Sequence, residues 1–214
     1  MNKASQTPVL IVGTETEARM ALDIANELDV LVYGFLTDDP ELVHKEINDI
    51  LIAAELGSKD GQTLLKDEGV KIIVAERDPS DRRQLQVYIE DRKAEIITLF
   101  HPMNSVSPHT IIGKGNLAGP GLVVGANAEM GDFNLLGTYV SVGIDAMVGN
   151  YCTIQDGVRI GDNVEIEDEV FIGIGAVIHP GVKIGHKASV AAGSIVLQDV
   201  PDETSVFGNP AKPV

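Results

Sequence analysis

Hydrophobic residues recur at every sixth position through the second half of the chain. An aliphatic residue or a close substitute stands at each sixth position from Val106 to Val196, sixteen times with no insertion. A period of six suits the two-residue alternation of a β-strand and does not match the 3.6-residue turn of an α-helix. The pattern therefore predicts short strands separated by regular corners.

Two further positions of the hexad support this interpretation. The residue two places before each aliphatic is small or β-branched in nearly every repeat, and glycine follows the aliphatic at ten of the sixteen. Small inward residues suit a narrow prism, and glycine suits a corner that needs either a positive φ or close packing. With three hexads per coil, residues 102–200 are predicted to form a parallel β-helix whose coils stack on one another.

The first hundred residues have a different pattern. A predicted strand at Val9–Val12 precedes a helix that carries Ala18, Leu22, Ala25 and Leu28 on one face. Further strands are predicted at Val30–Leu36, Val70–Val74 and Ile96–Phe100, with a helix through Arg82–Tyr88 before the last of them. Alternating strands and helices predict a small parallel, Rossmann-like α/β domain over residues 1–101, and residues 201–214 form a C-terminal tail.

Composition and charge narrow the classes of function. The net charge of −16 argues against nucleic-acid binding, because phosphate polyanions would be repelled. No apolar run approaches the roughly 18–20 residues that span a bilayer, so no membrane insertion is expected. A single cysteine, Cys152, suits a reducing compartment, and we expect a cytoplasmic protein with this cysteine in the core of the β-helix.

Four features together carry a resemblance to a known family. They are the start, in which a strand, a glycine and a helix follow one another, the turn Gly34–Pro40 (Gly-Phe-Leu-Thr-Asp-Asp-Pro), the hexad repeat, and the ending Phe207–Lys212 (Phe-Gly-Asn-Pro-Ala-Lys). Over essentially its whole length the chain resembles the sugar O- and N-acyltransferases of the sialic acid and bacillosamine type. The resemblance implies a left-handed β-helix, a homotrimer, and acetyl-CoA or another acyl-CoA bound along a groove between neighbouring prisms. It also implies an N-terminal domain that binds a nucleotide-activated sugar.

The resemblance implies that five positions of this chain lie at the coenzyme. Ile174 and Ala192 fall where family members line the pantetheine arm, mainly through backbone groups. Pro210 and Lys212 fall in the tail segment that folds over the coenzyme, where Lys212 could face a phosphate. A family histidine close to the coenzyme aligns with Thr153.

The resemblance fails at the catalytic pair. The histidine that serves as general base in the family, together with its acidic partner, aligns with Ile144 and Asp145. An isoleucine cannot accept a proton, so Asp145 keeps only the position of the acidic partner. A zinc site is not expected either, because the spacing of His179 and His186 does not bring three histidines together.

The sugar side is assigned by resemblance to Gly13, Thr14, Glu15 and Asp38. Family members carry a glycine-rich turn after the first strand, where backbone N–H groups can face phosphate. Here Glu15 and Glu17 occupy that turn, either as favourable charges at a helix N-terminus or as groups that repel a diphosphate.

Three functions remain open at this point. The first is a CoA-dependent acyltransferase acting on an amine or hydroxyl of a sugar or nucleotide sugar, with the usual base replaced by Ile144. The second is a non-catalytic trimeric relative that acts as a binding or assembly protein. The third, a nucleotidyltransferase with a β-helical tail, is disfavoured because the N-terminal part is short and lacks a glycine-rich nucleotide loop.

Overall fold

The computed structural model describes residues 7–214, so the first six residues of the predicted N-terminal domain lie outside the described residues. The chain divides into two compact units, residues 1–99 and residues 100–214. The division falls two residues before the His101-Pro102 pair that the sequence indicates as the joint.

The first unit is an α/β layer structure. Its helices are α1 (Thr16–Glu27), α2 (Lys59–Leu65) and α3 (Pro79–Glu90), with a short 3₁₀ helix at Pro40–Leu42. Its strands are β1 (Val9–Val12), β2 (Val32–Thr37), β3 (Glu46–Ile47), β4 (Ile50–Glu55), β5 (Lys71–Val74) and β6 (Glu95–Ile96). The sheet order is β3-β4-β2-β1-β5-β6, parallel except for the β3–β4 pair. Strands β2 to β4 lie on one side of β1, and the chain then continues with β5 and β6 on the other side. The gap between β1 and β5 is therefore the switch point of the sheet.

Most of the predicted elements of this unit are confirmed, and one is wrong. The predicted strand Ile96–Phe100 is two separate strands, β6 and β7 (Leu99–Phe100), which belong to different sheets. Ile96 and Leu99 are both buried, yet residues three apart face opposite sides of one strand. The chain therefore leaves the first sheet at Ile96 and joins a different sheet at Leu99.

The second unit is a solenoid of parallel strands. Sixteen two-residue strands, from β8 (Ser105–Val106) to β23 (Ile195–Val196), follow one another every six residues, and each ends at one of the repeat aliphatics. Strands eighteen residues apart pair in parallel, as Val123–Val124 does with Ser141–Val142, so three strands complete a coil. The coils build three sheets around one apolar core. The β-helix predicted from the six-residue period is confirmed.

The corners of the coils have two recurring backbone features, a residue with positive φ and a glycine directly after the aliphatic. Fourteen successive corners place a residue with positive φ three positions after the aliphatic: Gly115, Gly121, Asn127, Phe133, Tyr139, Asp145, Tyr151, Gly157, Asn163, Glu169, Gly175, Gly181, Lys187 and Gly193. The glycine directly after the aliphatic is required for a different reason, the close approach of the next coil. A Cβ on Gly173 would stand 2.5 Å from the backbone N of Ala192 in the next coil. Of the two explanations for these glycines, close packing is therefore correct.

A polar ladder runs inside the solenoid beside the aliphatic stack. Asn116 and Asn134 are buried, and the backbone N–H of Asn134 donates to Oδ1 of Asn116 at 2.8 Å. One coil further on, the N–H of Cys152 donates to Oδ1 of Asn134 at 2.7 Å. Cys152 is fully buried, which confirms its place in the core.

The tail continues the solenoid and then turns back. Strand β24 (Ser205–Gly208) pairs in parallel with β22 (Ser189–Val190), and β25 (Ala211–Pro213) pairs with β24 in an antiparallel hairpin. Asn209 and Pro210, joined by a cis peptide bond, form the turn of this hairpin. The ending Phe207–Lys212 is thus an ordered hairpin fixed to one sheet of the β-helix.

Candidate functional site

The three edges of the β-helix carry the candidate residues of the second unit. We call the corner residues 120–121, 138–139, 156–157, 174–175 and 192–193 the glycine edge, and the residues 126–127, 144–145, 162–163 and 180–181 the Ile144 edge. The third, the His186 edge, comprises 114–115, 132–133, 150–151, 168–169 and 186–187.

Ile174 and Ala192 lie in adjacent coils on the glycine edge, and both are exposed. The glycines that follow them, Gly175 and Gly193, would have no atom within 4 Å of an added Cβ. The N–H of Ile174 donates to Oε1 of Gln155 at 3.2 Å, which fixes the backbone of this corner. This stretch of the edge is an open surface on which backbone groups are accessible.

The C-terminal hairpin is attached beside that surface. The N–H of Gly208 donates at 3.1 Å to Oγ of Ser194, which lies two residues after Ala192. Lys212 is exposed in β25 opposite Phe207, and its ammonium group has no ion pair within residues 7–214. The structure therefore groups Ile174 and Ala192 with the hairpin that contains Pro210 and Lys212.

Ile144 and Asp145 lie on a different edge. The side chain of Ile144 is 48% exposed, and its N–H donates to Oδ1 of Asp162 at 2.8 Å. The carboxylate of Asp145 accepts a hydrogen bond from Nδ2 of Asn127 at 3.0 Å. One side of a coil, six residues of at most ~3.3 Å each, separates two edges by up to about 20 Å. Within one chain, Asp145 therefore lies on a different edge from Ile174 and Ala192, with one side of a coil between the two edges.

Thr153 and His186 stand apart from both of these edges. Thr153 lies within strand β16 (Thr153–Ile154) and is 5% exposed. His186 lies at a corner of the third edge, in register with residues 168 and 150 and not with Ile144. Its backbone N–H is held by Oδ1 of Asp202 at 3.1 Å. Thr153 thus lies in the strand that leads into the glycine edge, three residues before Asp156, whereas His186 lies on another edge.

The first unit contains a pocket at the carboxyl ends of its strands, which we call the acidic pocket. It has a volume of about 340 Å³. Its lining comprises Val12, Gly13, Leu36, Asp38, Leu56, Glu76, Asp81, Gln84, Leu85 and Tyr88. Two of the predicted substrate residues, Gly13 and Asp38, are therefore brought together here.

Glu76 is the most perturbed ionisable group of this pocket. Burial, followed by the negative charges of Asp38, Asp81, Glu15 and Glu17, raises the pKa of Glu76 from its ordinary 4.5 to about 7. Its carboxylate lies against the β1–α1 turn, because a Cβ on Gly13 would stand 2.8 Å from its Oε1. Gly13 has a φ of +115°, so a side chain there would be disfavoured by backbone and neighbour alike.

Thr14 and Glu15 belong to a neighbouring cleft. This second cleft, of about 470 Å³, is lined by Thr14, Glu15, Thr16, Arg19, Leu42, Lys45, Glu46, Ile47 and Ile52. Its two cations, Arg19 and Lys45, have no ion pair within residues 7–214. The four predicted substrate residues are thus divided between two clefts on either side of the β1–α1 turn.

Glu15 and Glu17 act differently from each other at the start of α1. Glu15 occupies the N-cap position, but its side chain makes no capping hydrogen bond. Glu17 is 7% exposed, and its Oε1 accepts from Nε of Arg77 at 2.8 Å. Both carboxylates lie at the N-terminus of α1, Glu15 at the N-cap and Glu17 in the first turn, and Glu17 is also paired with Arg77, a residue beyond β5.

The described residues contain neither a membrane-spanning helix nor a metal-binding cluster. Within residues 7–214 no helix is both long and apolar enough to cross a membrane. In the same part of the chain, no group of three or more His, Cys, Asp or Glu side chains could hold a metal ion.

Comparison with known proteins gives the same architecture. The family described as bacterial transferase hexapeptide (six repeats) matches residues 163–198, and the hexapeptide repeat of succinyl-transferase matches residues 139–167. No curated protein sequence matches the chain significantly.

Solved structures match the chain over nearly its full length. A mutant of perosamine N-acetyltransferase from Caulobacter crescentus, in complex with CoA and GDP-perosamine, is 25% identical, with 97% of this chain and 96% of that chain covered and a TM-score of 0.90. The acetyltransferase domain of PglB from Neisseria gonorrhoeae FA1090, in complex with acetyl coenzyme A, is 25% identical, with 98% and 100% covered and a TM-score of 0.87.

The chain resembles sugar acyltransferases of the hexapeptide-repeat class. WeeI from Acinetobacter baumannii AYE shares the fold, at 23% identity with 97% of this chain and 99% of that chain covered and a TM-score of 0.85. The resemblance that the turn, the repeat and the tail indicate in the sequence is confirmed.

Within this acyltransferase-like chain, sequence reasoning missed Glu76 and Asp81. Both residues belong to the acidic pocket, yet neither lies in a recognisable motif. A signal was available, because Glu76 follows β5 as Asp38 follows β2, and parallel strands end at one edge of a sheet. Acidic residues one or two positions after two such strands predict a shared pocket.

Proposed function

We propose that this protein is an acyltransferase that moves an acyl group from a CoA thioester to an amine or hydroxyl of a nucleotide-linked sugar. The observation that carries the proposal is the open glycine edge at Ile174 and Ala192, with the hairpin of Pro210 and Lys212 fixed beside it. It is further supported by the CoA and GDP-perosamine bound to one relative and the acetyl coenzyme A bound to another.

The chain's residues suit a coenzyme at this edge. Corners without side chains at Gly157, Gly175 and Gly193 leave room for an extended chain to lie against the backbone. Lys212 supplies an exposed, unneutralised cation for a phosphate group. In the reaction, the acceptor N or O forms a bond to the thioester carbon, the C–S bond breaks, and the proton of the acceptor passes to the CoA thiolate or to solvent.

The proposed reaction proceeds without the base that related enzymes place at the position of Ile144. Holding the acceptor and the thioester in reactive geometry can itself supply a large part of the rate enhancement. A hydroxyl or an amine that is neutral when bound needs no prior deprotonation. Asp145, hydrogen-bonded to Asn127, would orient the acceptor and not serve as the partner of a histidine.

We also propose that the active protein is a homotrimer of left-handed β-helices. The support is the separation of the two candidate edges, since one chain does not bring Asp145 to the glycine edge. In a trimer, the glycine edge of one copy can face the Ile144 edge of the next. We expect the protein to act in the cytoplasm, where acyl-CoA is available and the single cysteine stays reduced.

Calorimetric titration with acetyl-CoA and CoA tests the coenzyme site. We expect micromolar binding of both, abolished by Ala192→Trp, which fills the glycine edge. Lys114→Trp, at the equivalent corner position of the His186 edge, is the matched control and should bind normally. Absence of binding at millimolar coenzyme would refute the proposal.

Turnover is measured by the release of CoA thiol from acetyl-CoA in the presence of nucleotide-linked amino sugars. We expect the release to rise with at least one acceptor and to be lost in the Ala192→Trp variant. A protein that binds coenzyme but shows no acceptor-dependent release across a broad panel of sugars would not be an acyltransferase.

One observation favours a second candidate, a non-catalytic trimeric binding or assembly protein. The half-exposed side chain at the family's base position is Ile144, which has no proton-transfer chemistry. This candidate predicts that Ile144→His creates or raises thiol release, whereas Ile144→Gln, of similar size and polarity but without a basic ring, does not. If the wild-type protein already turns over and Ile144→His leaves its rate unchanged, this second candidate is rejected.

A further inference from the structure

The glycine edge of the β-helix is open over three successive corners and is then closed by an aromatic ring. An added Cβ on Gly175 or Gly193 would meet no atom within 4 Å, and one on Gly157 would meet only the Cα of Gly175, at 4.0 Å. One coil earlier the same corner position is Tyr139, whose ring would lie 2.6 Å from a Cβ added to Gly121. The open strip therefore ends at Tyr139.

The direction of a coenzyme along this strip follows from the proposed phosphate contact. The C-terminal hairpin that carries Lys212 is fixed beside Ala192, at the high-numbered end of the strip. With the phosphates there, the pantetheine arm runs toward lower-numbered coils past the three glycines, which span two coil spacings of about 4.8 Å each. The acyl group then lies at the end of the strip that Tyr139 closes.

Ile144 is a second exposed apolar side chain in the same coil as Tyr139. Tyr139 is 60% exposed and Ile144 is 48% exposed. Both backbones are fixed, since the N–H of Tyr139 donates to the carbonyl oxygen of Pro120 at 2.9 Å and that of Ile144 donates to Oδ1 of Asp162 at 2.8 Å. Apolar side chains on rigid corners are preorganised walls for an apolar ligand group.

The proposed trimer brings these two walls together from neighbouring copies. A three-fold axis along the solenoid keeps each coil level with the same coil of the next copy. Tyr139 and Ile144 are five residues apart, and a coil of eighteen residues rises about 4.8 Å, so the two differ in height by about 1.3 Å. Where the glycine edge of one copy faces the Ile144 edge of the next, Tyr139 therefore stands level with the partner's Ile144.

The carboxylates beside the two walls are held at their own corners. The carboxylate of Asp145 accepts a hydrogen bond from Nδ2 of Asn127 at 3.0 Å, and Oδ1 of Asp156 accepts from the N–H of Thr138 at 2.7 Å. An aliphatic chain needs no partner from these groups. An acyl group that itself ends in a carboxylate would be repelled by both negative charges.

We propose that Tyr139 and the partner's Ile144 are the walls of an acyl-binding pocket, and that the transferred acyl group is a short aliphatic chain longer than acetyl. Isoleucine at the position of the family's base gives this pocket an aliphatic wall, against which the methylene groups of the acyl chain are removed from water. The inference rests on the proposed function, because it names the donor class of that reaction.

Calorimetric titration of the full-length protein with CoA, acetyl-CoA, butyryl-CoA and succinyl-CoA tests the inference. Full burial of one methylene group raises affinity about fourfold, so we expect butyryl-CoA to bind roughly tenfold more tightly than acetyl-CoA. Succinyl-CoA is close to butyryl-CoA in length but ends in a carboxylate, and it should bind no more tightly than acetyl-CoA.

Two variants each remove one wall. Tyr139→Asn suits its corner, because Asn127 and Asn163 hold the equivalent position with a positive φ. Ile144→Asn keeps the approximate size of the side chain and removes its apolar character. In either variant the preference for butyryl-CoA over acetyl-CoA should fall to about threefold or less. Met147→Asn, at an exposed apolar position of the same coil in a different sheet, is the matched control and should keep the preference.

A third variant separates the ring of Tyr139 from its hydroxyl group. Tyr139→Phe keeps the ring and should keep the preference for butyryl-CoA, and a loss of preference here would overturn the apolar wall. Light scattering and circular dichroism establish that the variants are assembled and folded. The chain-length series on the wild-type protein decides the inference by itself if a variant fails to assemble.

The outcomes separate this inference from the proposed function. Equal affinities for acetyl-CoA and butyryl-CoA, tightest binding of succinyl-CoA, or an unchanged preference in either wall variant would overturn the acyl pocket. Acetyl-CoA binding with acceptor-dependent thiol release, but without a gain from butyryl-CoA, would sustain the acyltransferase and reject the pocket. A preference for butyryl-CoA without acceptor-dependent release would retain the pocket and reject acyl transfer. Absence of binding by every thioester would reject both.

Discussion

The side chain of Glu76 is constrained by burial, by the turn at Gly13 and by neighbouring negative charges. Its carboxylate is half-buried, lies against the turn at Gly13 and faces other carboxylates across the acidic pocket. Burial is the first cause of its raised pKa, and the charge of Asp38 is the second. An acid held in this state costs folding free energy whenever it is ionised.

The stability of the protein should therefore depend on pH through Glu76. Its folded pKa of about 7 exceeds the ordinary 4.5, so its contribution is fully favourable below pH 4.5 and is lost as the pH rises through 7. After allowance for solvent screening, Glu76→Gln should raise the free energy of unfolding by about 1–2 kcal/mol at pH 8, and by much less at pH 5. Urea unfolding at both pH values measures the difference. Glu27→Gln should show no such pH-dependent gain, and an equal effect of Glu76→Gln at both pH values would contradict the assignment.

At the scale of the elements, the β-helix depends on glycines that let adjacent coils touch. Gly173 follows the aliphatic of its hexad, and its missing Cβ leaves space for the backbone of Ala192. Gly181 has a φ of +76° at a corner, with nothing within 4 Å of an added Cβ. The two glycines therefore differ in kind, one required by packing and the other by backbone conformation.

Alanine substitutions separate these two requirements. Gly173→Ala should lower the free energy of unfolding by about 3 kcal/mol, because the neighbouring coil must move away from the new methyl group. Gly181→Ala should cost only about 1 kcal/mol, since just the positive φ is penalised. Urea unfolding midpoints measure both. Equal losses, or a larger loss for Gly181→Ala, would show that packing between coils is not the controlling requirement.

At the scale of the whole molecule, one sheet face joins the glycine edge to the Ile144 edge. Its outward residues, Ser105, Val123, Ser141, Arg159, Val177 and Ile195, include one charge. Val123 is 49% exposed and Val177 is 38% exposed. An apolar face of this kind gains free energy when a second copy covers it.

We expect light scattering at micromolar concentration to give the mass of a trimer. Val177→Glu should dissociate it and abolish acetyl-CoA binding, because a buried charge at the interface is left unpaired. Ser189→Glu, on a different sheet, is the control and should remain trimeric. A wild-type monomer that binds coenzyme would disprove the shared site.

The sequence by itself was sufficient for the repeating part of the fold and for the start of the α/β unit. The six-residue period from Val106 to Val196 gave the β-helix and its core, and the strand at Val9–Val12 with the helix after it gave the start of the α/β unit. The motifs at Gly34–Pro40 and Phe207–Lys212 gave the relationship to sugar acyltransferases. Side chains alternate between the two faces of a strand because of local backbone geometry. The alternation can therefore be recognised directly in the order of residues.

Only the tertiary structure decided which residues share a site. The acidic pocket joins Gly13, Asp38, Glu76 and Asp81, which lie on separate segments and meet because parallel strands end at one edge. The same structure divided Thr14 and Glu15 from Gly13 and Asp38, and put Asp145 on a different edge from Ile174. A local pattern fixes the direction in which a side chain points within its own strand. Proximity depends on how strands are ordered in a sheet or wound into coils, and that order is settled by packing among residues distant in sequence.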